Sequence, residues 1–255
     1  IKILIMTNKY MFFIANWKMF GDIKSLNTLD KVIKFSKNNE KNKFKLIYCP
    51  PYTLLNLFFK KFKKTKIDLG AQNCHQNEND GPFTGFVNSK MLKKIGAKYV
   101  IIGHSENRAA GETNVLINKK IISSNKNGLK IIFCIGETLI EKKKKHTKKV
   151  LKKQITTGLK KVKKLKNILF AYEPVWSIGT GIIPKNNELD KNIKFIKHHL
   201  KINFKIKNPK VLYGGSVSPK NINKLKIVRT IDGFLIGGAS QKSNKFIDIV
   251  KKTFN

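Results

Sequence analysis

The chain has 255 residues, with 53 Lys and Arg against 15 Asp and Glu, for a formal net charge of +38 at pH 7. A hydrophobic fraction of 41%, with 17 Phe, excludes a wholly disordered polybasic chain. No run of about eighteen apolar residues occurs, so a helical membrane span is excluded and no membrane partner is expected.

The N-terminus carries a short apolar stretch, Ile3 to Met6, between Lys2 and Lys9. It is too short for a secretory signal and lacks a small-residue cleavage site. Residues 1–11 are expected to be a frayed extension, with Met11 a candidate start, ahead of one domain over 12–255. From there, short apolar runs alternate with lysine-rich stretches. The runs are Phe12–Ala15, Phe44–Cys49, Ile67–Ala71, Tyr99–Ile102, Lys130–Ile135, Ile168–Tyr172, Val211–Tyr213 and Gly233–Ile236. Each is apolar on consecutive positions, as strands buried on both faces are. Helices are expected over Lys31–Ser36, Leu54–Lys63, Leu116–Asn125, Glu141–Leu165, Leu189–Phe204 and Asn244–Thr253. In Ile193, Ile196 and Leu200 the apolar spacing is helical, and Gly128 stands where a C-terminal cap belongs. Eight strand–helix units, with no linker between them, predict an α/β fold. The expected form is a single closed (β/α)8 barrel of eight parallel strands inside an outer ring of helices. A doubly wound open sheet is the runner-up.

Only Arg108 and Arg229 are arginine, and the lysines are spread along the whole chain. A dedicated nucleic-acid surface clusters its charge and favours Arg, so the lysines read as solvated helix faces and no specific nucleic-acid partner is expected. The positive field still attracts small anions. Cys49, Cys74 and Cys134 are odd in number and widely spaced, which fits a reduced, cytoplasmic protein. No clustered His, Cys and carboxylate spacing suggests a metal.

In a barrel of this kind, chemistry sits just past the C-terminal ends of the strands. Asn16-Trp17-Lys18 follows the first run, Gly103-His104-Ser105-Glu106 the fourth, and Glu173 the sixth. Gly214-Gly215-Ser216 and Gly237-Gly238 follow the last two, where such folds bind phosphate through backbone N–H groups that no Cβ obstructs. His104 heads a helix that Ser105 could cap, and a helix N-terminus disfavours imidazolium. Glu173, desolvated at the mouth of an apolar barrel, suits a general base. The segment Pro174-Val175-Trp176-Ser177-Ile178-Gly179-Thr180-Gly181 has the apolar body and glycine-bearing end of a lid. His75, His146, His198 and His199 read as structural.

These motifs resemble one family in order and spacing, from about Phe12 to the C-terminus. Ala15 to Met19, Ile101 to Glu106, Cys134 to Thr138, Ala171 to Gly181, Tyr213 to Val217 and Gly233 to Gly238 are similar to triosephosphate isomerase. The resemblance implies a TIM barrel interconverting dihydroxyacetone phosphate and glyceraldehyde 3-phosphate through an enediolate, with no cofactor or metal. It implies Glu173 as base, His104 as electrophile and proton relay, and Lys18 as the cation beside Asn16. Gly179, Ser216, Gly237 and Gly238 match phosphate-contacting positions. The 72–87 loop resembles the family's dimerisation loop, with Thr84 and Phe86 at a homodimer interface.

Departures from the pattern are Phe86 and Asn107 where the family pairs Glu with Arg, and Phe20 where it has Asn. The lid exit reads Ile182-Ile183-Pro184, and the chain is one residue short between Arg108 and Gly111. The alternatives are another phosphate-binding barrel enzyme and a basic nucleic-acid-binding protein on a degenerate barrel.

Overall fold

The computed structural model describes residues 9–39 and 43–254. Eight strands run in chain order: β1 (Met11–Asn16), β2 (Phe44–Cys49), β3 (Asp68–Ala71), β4 (Tyr99–Ile102), β5 (Lys130–Ile135), β6 (Ile168–Tyr172), β7 (Lys210–Tyr213) and β8 (Gly233–Ile236). Each pairs in parallel with its sequence neighbours, and β8 closes on β1 through Phe12 opposite Gly233. The barrel is closed, so the open sheet is set aside.

Consecutive apolar positions in each run follow from two cores on either side of one sheet. Alternate side chains point inward, where Ile14, Ile47, Ile101, Ile132, Leu212 and Leu235 fill the barrel. The intervening ones, such as Phe13, Val100, Ile102, Phe133 and Phe170, pack outward against the helices. A strand buried on both faces cannot alternate with polar residues. Each fully buried Phe contributes about 2 kcal/mol by transfer from water.

The helical layer consists of α1 (Leu29–Asn38), α2 (Leu55–Phe62), α3 (Ser89–Lys94), α4 (Ser105–Ala109), α5 (Asn114–Lys126), α6 (Leu139–Lys143), α7 (Thr147–Gly158), α8 (Asn186–Phe204), α9 (Ile222–Leu225) and α10 (Ser243–Phe254). Ile193, Ile196 and Leu200 are buried on one face of α8. Gly128 follows α5 with φ +73°, the left-handed cap its position calls for. None of the described helices is long and apolar enough to cross a membrane.

The long helix expected over Glu141–Leu165 is instead two helices. Thr138 and Glu141 form a capping box that starts α6. The lysine run after it carries no apolar residue to hold a face on the barrel, and Lys145 turns left-handed at φ +58°. The chain restarts as α7, which buries Leu151, Gln154 and Ile155 and ends at Gly158. Between Arg108 and Gly111 the shorter chain still closes a helical turn, with the Gly111 N–H donating to Arg108 O at 3.0 Å. Of the expected N-terminal extension, residues 1–8 lie outside the described residues. Lys9 pairs with the buried Asp232 at 2.7 Å, and Met11 opens β1.

Candidate active site

Parallel strands end together, so the residues that follow them share one rim. A cavity of about 750 Å³ there is lined by Asn16, Lys18, His104, Glu173, Ile178, Gly179, Gly215, Ser216, Gly237 and Gly238. Every catalytic and substrate-binding residue expected from the sequence lies on it.

Glu173 directly follows β6 and is 2% exposed. Two glycines make room for it. A Cβ on Gly136 would lie 1.7 Å from Glu173 O, and one on Gly214 would lie 2.7 Å from Glu173 Cγ. Gln154 pins Gly136 on both sides, accepting from its N–H at 2.8 Å and donating to its carbonyl at 2.9 Å. The Glu173 Oε2 accepts from the Ser105 N–H at 3.2 Å. The Oε1 stands 3.3 Å from His104 Nε2 and meets no hydrogen-bond criterion with any of the described residues. Burial pushes the Glu173 carboxyl above the ordinary range, partly offset by His104, the Ser105 N–H, Cys134 and Arg108.

His104, not Ser105, caps α4. Its Nδ1 accepts from the Glu106 N–H at 3.3 Å, because the ring folds back over the first turn where free N–H groups point. With Nδ1 as acceptor, the neutral ring carries its proton on Nε2, the atom facing Glu173 and the cavity. Arg108 braces this corner by donating to the carbonyls of Gly103 at 2.7 Å and Cys134 at 3.1 Å, joining the ends of β4 and β5.

Lys18 adopts a left-handed backbone at φ +57°, a conformation that costs a non-glycine residue about 1 kcal/mol or more. Asn16 Oδ1 accepts its N–H at 3.1 Å and Gln72 Nε2 donates to its carbonyl at 2.8 Å, which holds the strained turn. Its Nζ pairs with Glu106. The side chain lies against the glycine turn after β8: a Cβ on Gly237 would stand 3.3 Å from Lys18 Cε. Of the glycine-rich turns, Gly214 is withdrawn as a donor because its N–H continues the β6–β7 ladder to Tyr172 O at 2.8 Å. Gly215, Ser216, Gly237 and Gly238 line the cavity, and the Ser216 N–H donates to the buried Ser177 Oγ at 3.3 Å.

The segment expected from the sequence to be a lid leaves Glu173 as a turn over Val175–Ser177. Trp176 Nε1 donates to the buried Glu137 at 3.0 Å, and Lys142 Nζ lies 3.5 Å from the centre of the indole. Glu137 also accepts from Tyr172 OH, which in turn accepts from Asn192 at 2.9 Å. Burial raises the Glu137 carboxyl's pKa against these donors. Glu137 and Glu106 were assigned no role from the sequence. Their adjacency to motif residues was visible, but their partners are 39 and 88 residues distant.

Thr84 and Phe86 stand on a neighbouring exposed loop. Phe86 is 62% exposed and packs on the His75 ring at 4.8 Å, which Phe83 contacts at 4.6 Å.

The triosephosphate isomerase family model matches residues 11–253. The triosephosphate isomerase of Geotalea uraniireducens is 40% identical over 244 residues, covering 93% of this chain and 96% of that one. That of Dictyoglomus turgidum is 41% identical over 244 residues, covering 93% and 97%. The crystal structure of triosephosphate isomerase from Bartonella henselae superposes with a TM-score of 0.86 at 35% identity, covering 95% of this chain and 98% of that one. Matched by that family's model over residues 11–253 and by its members over nearly their whole length, the chain belongs to the triosephosphate isomerase family.

Proposed function

We propose that the chain interconverts dihydroxyacetone phosphate and D-glyceraldehyde 3-phosphate by proton transfer between Glu173 and the substrate. The observation that carries this reading is one buried carboxylate, 3.3 Å from an imidazole Nε2, in a cavity that also holds Lys18 and two glycine turns. Glu173 takes a proton from the carbon beside the carbonyl and returns it to the neighbouring carbon. The His104 Nε2–H polarises the carbonyl and relays a proton between the two oxygens of the enediolate. Lys18 Nζ, with Asn16 beside it, stabilises the charge that develops on those oxygens. The N–H groups of Gly179, Ser216, Gly237 and Gly238 hold the phosphate, at a distance from the reacting carbons that fixes the substrate's position. The 174–181 lid, closing over this site, excludes water and protects the enediolate.

A raised carboxyl suits this base, because proton transfer is most efficient when the catalytic pKa approaches the working pH. The acid limb of kcat/KM is expected above the ordinary carboxylate range. Coupled turnover of glyceraldehyde 3-phosphate by wild type and Glu173→Gln tests the assignment. A loss of about 10²–10⁴-fold in kcat is expected, and equal rates would defeat it.

The active unit in this reading is a homodimer formed through the 72–87 loop. Exposed Phe86, seated on His75, supports an apolar contact where relatives of the family pattern use an ion pair.

A further inference from the structure

Parallel strands begin together as well as end together, so the residues that open them share the rim opposite the candidate active site. A cavity of about 810 Å³ lies on that rim, within the range of about 300–1,000 Å³ usual for small-molecule sites. Lys130 and Lys210 open β5 and β7, Lys45 is second in β2, and Lys98 directly precedes β4. Lys166, Lys205 and Lys207 reach the same cavity from the segments that enter β6 and β7. Among the described residues, seven of the nineteen that line it are thus lysine, against 53 basic residues in the 255 of the chain. Charge is concentrated here and not only spread. The one carboxylate on the wall, Asp68, is 4% exposed and already holds Lys45 at 2.8 Å and Lys98 at 2.7 Å. The buried Asp232, 3.9 Å from Lys210, is taken at shorter range by Lys9 and Lys197. Each buried carboxylate is therefore outnumbered by the ammonium groups around it. Lys166, Lys205 and Lys207 form no ion pair among the described residues. Aromatic rings complete the lining: Lys130 Nζ stands 5.4 Å from the Tyr99 ring centre, and half-exposed Tyr10 packs edge-on to Phe12 at 5.5 Å. Burial and the Asp68 charge raise both tyrosine phenols, which remain proton donors at neutral pH.

We propose that this cavity is an anion site separate from the candidate active site, and that it takes a chain of linked phosphates. The surplus ammonium groups come from several segments around one space, so a single phosphate meets only some of them. A polyphosphate reaches more, and charge-assisted hydrogen bonds to phosphate oxygens are the strong ones. Lysines crowded without counter-charges also repel one another, and an anion relieves that repulsion as it binds. Inorganic tripolyphosphate and a nucleoside triphosphate share this chemistry; the second adds a flat base for the exposed face of Tyr10. The two cavities have no lining residue in common, so the proposal stands apart from the isomerase reading.

The test titrates the 15N-labelled full chain with tripolyphosphate, with adenosine triphosphate and with adenosine, at about 0.15 M salt to screen distant charges. The amides of Asn167, Lys207 and Asn208 are expected to shift together with one Kd, distinct from that of Gly238 in the candidate active site. In the double variant Lys166→Gln/Lys207→Gln that Kd rises about tenfold or more, because charged hydrogen bonds are lost. Its turnover of glyceraldehyde 3-phosphate stays at the wild-type rate. Lys31→Gln/Lys34→Gln removes the same charge from exposed positions on α1 and leaves the Kd unchanged. Equal weakening in the two double variants overturns the site, because it marks diffuse attraction by the net charge. Shifts confined to the Gly238 side overturn it too, as does adenosine binding as tightly as its triphosphate. Equal Kd values for the two polyphosphates support a site that reads the phosphate chain alone, and a tighter nucleotide supports one that also seats the base.

Discussion

Gly214→Ala is a perturbation whose size can be worked from the structure. The added Cβ would lie 2.7 Å from Glu173 Cγ and 3.4 Å from its Oε1. Carbon atoms rest at about 3.5–4.0 Å, so the shortfall is about 1 Å. The Gly214 backbone cannot withdraw, because its N–H is bonded to Tyr172 O at 2.8 Å. The Glu173 backbone cannot withdraw either, since the pinned Gly136 passes directly behind it. What yields is the carboxylate. A 1 Å misplacement of a catalytic group costs on the order of 100-fold in rate, and overpacking costs about 1–3 kcal/mol of stability. Coupled turnover of glyceraldehyde 3-phosphate should show kcat about 100-fold down with KM changed less than threefold. A thermal melt should show a Tm lower by a few degrees. A kcat within threefold of wild type, or a loss carried wholly by KM, would refute the claim that these glycines aim the base.

Other outcomes follow from the same geometry. Burial raises the folded-state pKa of Glu173 above its unfolded value, so its contribution to stability is full below the ordinary carboxylate range and declines as pH rises through the raised value. Glu173→Gln should therefore gain on wild type in urea melts as pH climbs through that window, by at most about 1.4 kcal/mol per pH unit, and a pH-independent difference would contradict this. Lys18→Met should lower kcat/KM by about 10–100-fold, the worth of a charged hydrogen bond, with most of the loss in kcat. It should leave stability within about 1 kcal/mol, because Glu106 stays solvated at 56% side-chain exposure; a large drop in Tm would argue against a rim position. Trp176→Phe removes a donor from buried Glu137 and should cost about 1 kcal/mol in denaturant melts, with no change marking the contact as idle. Phe86→Glu should weaken the proposed homodimer in sedimentation experiments, and equal or tighter association would count against an apolar seat for this residue.

Much of this was legible in the sequence because it depends on local periodicity. Eight doubly buried strands show as eight consecutive apolar runs, and strict alternation with helices leaves a parallel barrel whose strand ends share one rim. That alone brought Lys18, His104 and Glu173 together, although they are far apart along the chain. Tertiary structure decided what depends on angle and partner. Whether Glu141–Leu165 is one helix or two turned on where Lys145 could leave the barrel surface. That His104 rather than Ser105 caps α4 turned on a ring folding over a helix start. That the Gly214 N–H is unavailable to a ligand turned on the sheet having already claimed it. The hydrogen-bond partners of Glu137 and Ser177 lie 36 or 39 positions away, or across the mouth of a loop. A hydroxyl or carboxylate reads alike in a sequence whether it faces water or three buried partners, and only the fold supplies the partners.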